Sequence, residues 1–522
     1  MTARTLFGAL ARNAATRPAV DAIGFLAGGE ELTATITYAA LQRGVDEVAA
    51  GLVARELAGK PVLLALPPGL EFVVGFLATL RAGAFAVTIP FPVGTSAERV
   101  AAIVRDAQPA AALVDGPGAE YSQGALAGIP AVSLERLRAT RALPGEPPPH
   151  CPALIQYSSG STRKPCGVAI THGNLAANLL MIERAFDVRH DDLTVSWLPP
   201  SHDMGLIGAI LEPIFAGGKA MLMPPSAFMK KPVRWLRAID RYRATIAGGP
   251  NFAYELCARR ATAEAARELD LASWRVAFCG SEPIRFKTLQ SFAERFAAAG
   301  FARSSFLACY GLAETTLLSS AGPLREVALD GFGSRVSCGR PVPGCAVVAR
   351  PPVGELWVSG PHVSPGRWSG ATGAVVRWEN TFEEAGRRFL PTGDIGALLN
   401  GEVVVLDRVK DVIALYGRKV HSIDVEHAVL DAESAVSAVA AFATASERGE
   451  RLVAVCELSA RDRAGLDIAT MKASLSASVS ARTGVAPEIV LVRYGVLPRT
   501  ASGKIRRDAS RVEFVAGNLR QL

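Results

Sequence analysis

The stretch "YSSGSTRKPCG" at 157–167 places Ser158, Ser159, Gly160, Ser161 and Thr162 in one run, followed at once by Arg163 and Lys164. Residues this small let a loop curl until backbone N–H and hydroxyl groups point at one centre, which suits polyphosphate oxygens. The pattern is not a GxxxxGK[ST] loop, because Pro165-Cys166 stands where Gly-Lys is needed. A plain solvated Ser/Gly turn has the same composition, so the run alone leaves both readings open. Three distant segments carry further reactive side chains. "CYGLAETT" offers Glu314 after a strand-like run, "LPTGDIGAL" offers Asp394 in a Gly turn, and "LPRTASGKIRR" puts Lys504 on a Gly turn.

These residues need elements to hold them. Short apolar runs such as "PVLLALP", "AFAVTIP", "ATIAGGP" and "WRVAFCGS" alternate with helical stretches such as "SAERVAAIVRDA" and "PVRWLRAIDRYR". That alternation predicts an α/β fold with layered sheets and largely buried parallel strands. The strands become shorter and turn-rich over about 340–407, which predicts a small β-rich subdomain. A charged connector, "LDRVKDVIALYG", then leads into an α+β pattern. The expected organisation is a large N-terminal domain over 1–407 and a small C-terminal α+β domain over 408–522.

At 522 residues, with 49% of them apolar and 20% charged, the chain is long enough for at least two cores and too apolar for disorder. The formal charge of +7 is spread along the chain without a dense Lys/Arg run interleaved with aromatics, so nucleic acid is not an expected partner. Eight cysteines form no CxxC pair and no Cys/His zinc spacing, which points to buried thiols in a reducing compartment. The first twenty residues are amphipathic, with arginines and no unbroken apolar core of a signal peptide. The most apolar region is interrupted by Pro67, Pro68, Glu71 and Arg81, so no membrane span is expected and a cytoplasmic location is.

In order along 157–504, these motifs resemble the adenylate-forming superfamily of acyl-CoA synthetases, nonribosomal adenylation domains and luciferases; the N-terminal third resembles it less closely. Within that superfamily "QYSSGSTRKPCGV", "SWLPPSHDMGLIGAILEPIFAGG", "AFCGSEPI", "CYGLAETTLL" and "VSCGRPVPG" are most similar to fatty acyl-AMP ligases. The resemblance implies an enzyme that activates a fatty acid with ATP and Mg²⁺, releases pyrophosphate, and passes the acyl group to the phosphopantetheine arm of an acyl carrier protein supplied in trans. It implies an ATP site built from Ser158, Ser159, Gly160, Ser161, Thr162, Ser281, Glu282, Tyr310, Gly311, Asp394 and Arg408. Two departures stand out. Cys166 replaces the lysine usual in the phosphate loop, and the insertion that in this family follows "YGLAE" and limits domain motion looks short in "SSAGPLREVALDGFGSRVSCGRP".

The chemistry gives each residue a task. A carboxylate attacking an α-phosphate sets like charges about 4 Å apart, at a cost of roughly 4 kcal/mol for an effective dielectric near 20. Mg²⁺ held by Glu314 and the phosphates offsets this, and Lys504 brings a second positive charge. Asp394 suits the ribose hydroxyls, and Arg408 would reach the ribose or phosphate. His202 is expected to position the substrate rather than act as a base, since a carboxylic acid is already ionised at pH 7. His202, Asp203, Met204, Gly249, Pro250 and Phe252 are expected around the acyl chain, an ordinary core aromatic being the alternative for Phe252. Lys410, in "DRVKD", is the expected hinge about which the small domain turns. The rivals are an acyl-CoA ligase using free CoA and a non-catalytic adenylate-binding scaffold.

Overall fold

The computed structural model describes residues 4–91, 97–115, 124–157, 165–415, 418–446, 449–459, 467–500 and 503–522. Two large sheets dominate. In the first, nine strands run in the order Arg340–Pro341, Ser320–Pro323, Phe306–Tyr310, Val276–Cys279, Ile246–Gly249, Leu193–Ser196, Lys219–Leu222, Asp21–Phe25 and Ala34–Thr37. Its centre is parallel, with Ala277 opposite Ala247 on one side and Phe306 on the other. Such strands are buried on both faces, which is why they read in sequence as unbroken apolar runs rather than as alternation. The second sheet has eight strands and is centred on Pro152–Tyr157, Phe85–Thr88 and Pro61–Ala65.

The helices Tyr38–Ala54, Leu70–Arg81 and His172–Ala185 bury their apolar residues in one continuous core that also takes side chains from both sheets. An aromatic cluster fills one end: Trp235 lies 5.2 Å from Trp274, and Tyr254 lies 5.3 Å from Phe306, both edge to face. Among the described residues no helix is long and apolar enough to cross a membrane.

Turn-rich strands follow as expected, at Ala346–Arg350, Val353–Ser359, Arg387–Leu399 and Glu402–Arg408. The strands Gly366–Ser369 and Ala374–Arg377 depart from that grouping and join the edge of the eight-stranded sheet. Beyond the connector, Val436–Ser446, Gly449–Leu458 and Glu488–Val492 form a three-stranded sheet with its own core, packed against the helices Ser422–Ala432 and Ile468–Thr483. The helix Arg507–Val515, unforeseen from the sequence, covers the other face of this small lobe.

Candidate active site

Parallel strands of an open sheet present their carboxyl ends to one crevice, and the site forms there. The strand Val276–Cys279 ends in Gly280, Ser281 and Glu282, and its neighbour Phe306–Tyr310 ends in Tyr310 and Gly311. A side chain on Gly311 would place its Cβ 1.6 Å from the Leu317 carbonyl, so the close approach of these two segments requires glycine. Ser281 takes a left-handed backbone, φ 72°, which is uncommon for a residue with a side chain and turns its hydroxyl across the strand end.

Lys504 arrives from the small lobe. Its ammonium donates to Ser281 Oγ at 2.5 Å, with Glu282 and Asp203 within electrostatic reach. Burial lowers the lysine's proton affinity, and the two carboxylates offset part of that effect. The turn that carries it is closed by Gly503 N–H donating to Thr500 O at 2.9 Å and Thr500 N–H donating to Lys504 O at 2.8 Å. Arg499 fixes its base by donating to the fully buried Glu457 at 2.7 Å.

The carboxylates occupy the large lobe. Glu314 sits in the short turn Ala313–Thr315, whose backbone is held by Ser364 N–H donating to Glu314 O at 2.8 Å. The next residue but one, Thr316, has φ 65° and donates its hydroxyl to His362 O at 2.7 Å. Burial raises the Glu314 carboxyl above its ordinary range, its own backbone N–H and Arg408 pull the other way, and Asp394 and Asp203 add to the rise. Asp394, 8% exposed, accepts from Tyr310 OH at 2.9 Å and pairs with Arg408 Nε at 3.3 Å. Its carboxyl is likewise raised by burial, against Arg408 and Tyr310. Glu282 accepts from Phe252 N–H at 2.7 Å, and burial pushes its carboxyl up to about 7. Asp203 goes the opposite way: burial raises it, but His202, whose Nδ1 lies 2.7 Å from Asp203 Oδ1, and Lys504 hold it below its ordinary value.

An apolar cleft opens from this polar rim. Its lining combines the expected Asp203, Met204, Ser281, Tyr310 and Gly311 with Ile182, Phe186, Gly208, Phe278, Gly280, Cys309, Leu317 and Leu318. Gly208 belongs to a turn of π-helix, Ile207–Leu211, a local unwinding that recurs at functional sites. The sequence reading missed the other eight lining residues, Gly280 and Cys309 among them. They are mostly ordinary apolar positions on several elements, and only the glycine inside an otherwise apolar helix was a signal.

Five of the expected site residues thus line one cleft, with Glu282, Lys504 and His202 around it and Glu314, Asp394 and Arg408 in electrostatic contact with them. Gly249, Pro250 and Phe252 stand apart from the lining. The place of a Cβ on Gly249 is 3.3 Å from the Trp197 ring, and Pro250 precedes the helix Asn251–Arg260. The Phe252 ring lies edge-on to Trp197 at 6.0 Å and directly under Gly503. Ser158 to Thr162, the expected phosphate loop, lie outside the described residues. The segment after "YGLAE" forms a two-stranded hairpin, Glu326–Leu329 with Gly333–Val336, that reaches the small lobe. From it Arg335, 7% exposed, pairs with Asp424 at 2.5 Å, and Phe332 packs edge to face on His421 at 5.6 Å. At the connector Lys410 pairs with Asp508 at 3.5 Å.

A crevice at sheet ends, lined by buried carboxylates and capped by a lysine from a second lobe, is the architecture of an adenylate-forming enzyme. Comparison with known proteins agrees: the model of the AMP-binding enzyme family matches residues 10–368, and the chain belongs to that family and, within it, to the fatty acyl-AMP ligases. It is 32% identical to a medium-chain-fatty-acid–[acyl-carrier-protein] ligase, JamA, of Moorena producens, over 99% of this chain and 96% of that one. It is also 32% identical to a long-chain-fatty-acid–AMP ligase, FadD26, of Mycobacterium marinum, over 91% and 90%. A crystal structure of a fatty acid AMP ligase from Legionella pneumophila superposes with a TM-score of 0.74 at 32% identity, covering all of this chain and 97% of that one.

Proposed function

We propose that this enzyme joins a fatty acid to AMP and then delivers the acyl group to the phosphopantetheine thiol of an acyl carrier protein. The observation that carries the reading is an apolar cleft whose lining includes Ser281, the residue that Lys504 binds. A fatty acid whose chain enters the cleft presents its carboxylate beside Lys504. A carboxylate oxygen attacks the α-phosphorus of ATP, the bond from that phosphorus to the bridging oxygen breaks, and diphosphate leaves. Lys504 stabilises charge on the entering oxygen and the α-phosphate. His202, held by Asp203, orients the substrate. Asp394, steadied by Tyr310 and Arg408, accepts from the ribose hydroxyls, and Ser281, Glu282, Tyr310 and Gly311 border the nucleotide. The Ser158–Thr162 run supplies phosphate contacts.

Magnesium fits the donor set. No group of three potential metal ligands exists among the described residues, whereas Glu314 is a single carboxylate whose ionisation is opposed by burial and by two acidic neighbours. Mg²⁺ favours one or two carboxylates plus phosphate oxygens, so Glu314 would hold it with the nucleotide, and the ion would supply neutralising charge there. The large domain over 1–407 then acts as the adenylation platform, and 408–522 turns about Lys410 to admit the thiol. The hairpin's contacts through Arg335 and Phe332 restrain that turn, which favours a carrier protein over free CoA, as do the carrier-protein ligase names of two relatives, JamA and TtuA of Teredinibacter turnerae.

The test is ATP–pyrophosphate exchange with fatty acids of graded length, followed by competition between holo carrier protein and CoA for the acyl group. Exchange with no aliphatic acid sinks the activation step; exclusive transfer to CoA sinks the choice of acceptor.

A further inference from the structure

We propose that Arg285 is a positioning residue for the adenylation step, its ion pair with Asp431 of the small lobe being a latch that holds Lys504 at Ser281 and must break before the lobe turns; this rests on the rotation proposed above. Arg285 belongs to the large lobe. It follows the strand end that carries Ser281 and Glu282 and immediately precedes the helix Phe286–Phe296. Its backbone N–H donates to Oδ1 of the buried Asn251 at 3.0 Å. Asn251 opens the helix that also holds Phe252, the ring beneath Gly503. The root of Arg285 is therefore fixed in the same frame that seats the lysine turn.

From that root the guanidinium crosses to the small lobe, where Nη2 donates to Asp431 Oδ1 at 2.6 Å. Asp431 stands in the last turn of the helix Ser422–Ala432. Two more cations of the large lobe converge on the same end: Lys287 Nζ lies 4.0 Å from Asp431, and Arg259 Nη2 donates to the Ser434 carbonyl at 3.0 Å. Positive charge is favourable at a helix C-terminus, where the last carbonyls lack intrahelical donors. Asp424, seven residues earlier on the same face, takes Arg335 of the hairpin. Arg482, from the small lobe's own helix Ile468–Thr483, reaches both aspartates, at 3.6 Å from Asp424 and 3.4 Å from Asp431. Opening the lobe therefore strands neither carboxylate, because each keeps Arg482 while it gives up its large-lobe partner. A pair whose acid retains a second cation can break and re-form once per turnover without leaving a buried charge uncompensated.

The experiment compares the wild-type enzyme with Arg285→Ala, Asp431→Ala, the double variant and Arg285→Lys. Two single-turnover rates are read: adenylate formation, and acyl transfer from chemically prepared acyl-adenylate to whichever thiol, holo carrier protein or CoA, the wild type uses. The Arg285 side chain is 13% exposed and that of Asp431 42%, so the pair is partly screened. Each alanine variant is accordingly expected to form adenylate roughly three- to tenfold more slowly. The double variant is no slower than the slower single, because both remove one interaction. Arg285→Lys recovers part of the loss, and transfer runs at the wild-type rate or faster, which also certifies the fold. The latch is refuted if the two losses multiply in the double variant, if both half-reactions fall by the same factor, or if adenylate formation is untouched. Lys504→Ala, run alongside, separates this from the reading beneath it. If that variant slows both half-reactions equally, or the wild type transfers to neither thiol, the rotation fails and the latch with it. If Lys504→Ala slows adenylation alone while the Arg285 and Asp431 variants keep wild-type rates, only the latch is refuted.

Discussion

Gly503→Ala is the sharpest probe of the arrangement that brings Lys504 to the site. At Gly503 φ is +89°, and an added Cβ would stand 2.7 Å from Cζ of Phe252, a residue of the large lobe. Two penalties result, and they act on different states. The backbone strain, on the order of 1–2 kcal/mol, travels with the turn wherever the small lobe goes. The collision with Phe252 exists only while the lobe is docked, and forcing a methyl group against a packed ring costs typically about 1–3 kcal/mol. At about 1.4 kcal/mol per decade this second penalty alone predicts a loss of roughly 5- to 150-fold in adenylate formation. Transfer to thiol from chemically prepared acyl-adenylate, in which the lysine turn has left the site, keeps most of its rate. The assay is single-turnover kinetics of the two half-reactions, repeated in a Phe252→Ala background where the clash is gone. Equal slowing of both half-reactions, or a Gly503→Ala defect that Phe252→Ala leaves intact, refutes the claim that Phe252 is the seat of the lysine turn.

Removing the ammonium by Lys504→Ala is expected to slow exchange by about 10²–10³ while leaving thiol transfer from preformed adenylate near wild type; retention of exchange within a few-fold overturns the assignment. Arg335→Ala with Phe332→Ala releases the hairpin from the helix Ser422–Ala432, so transfer to free CoA rises while exchange does not, and unchanged CoA turnover argues against a tether. His362 is fully buried, its Nε2 is 3.5 Å from Ser319 Oγ, and burial lowers its proton affinity to about 4. Because the unfolded chain takes up this proton near 6.5 and the folded chain only near 4, the native state is favoured above 6.5 and loses up to about 3 kcal/mol as the pH falls towards 4. Unfolding midpoints between pH 7 and 4 for wild type and His362→Phe test this; the same decline in both would show that another group is responsible.

Much of the site was legible because its parts are local. Turn chemistry around Lys504, a carboxylate after a strand at Glu314, and the "TGD" bend at Asp394 are short signals, and the chain carries each one whole. The layered α/β core was legible for the same reason, since buried parallel strands and amphipathic helices differ in period. What depended on distant packing was not. Phe252 is expected around the acyl chain, with an ordinary core aromatic as the alternative. In the structure it neighbours Trp197 and Gly503, 55 residues before it and 251 after it, and no local pattern links them. The cleft lining includes Ile182, Phe186, Phe278 and Leu317, apolar positions whose local pattern gives no sign that a cleft opens beside them. The insertion containing Glu326–Val336 looks short in the sequence, and no local pattern shows that its hairpin meets another lobe, where Arg335 pairs with Asp424.

The charge distribution explains why the two lobes close on this face at all. Asp203, Glu282, Glu314 and Asp394 belong to the large lobe; burial raises the last three carboxyls, and at Glu314 the neighbouring Asp394 and Asp203 add to the rise. Left alone they would oppose the approach of a nucleotide, an anion entering a field of anions. The compensating cations come from the connector and beyond it: Arg408 pairs with Asp394, and Lys504 lies near both Glu282 and Asp203. Closure therefore lowers the electrostatic cost of the large lobe's own carboxylates before any substrate arrives, and it brings the same two cations to where the phosphates must pass. A lysine fixed on the large lobe could bind the phosphates equally well, but it would remain in the way of the thiol. On the rotation proposed above, a lysine carried on the turn of the small lobe would leave once its partner charge, the diphosphate, has gone.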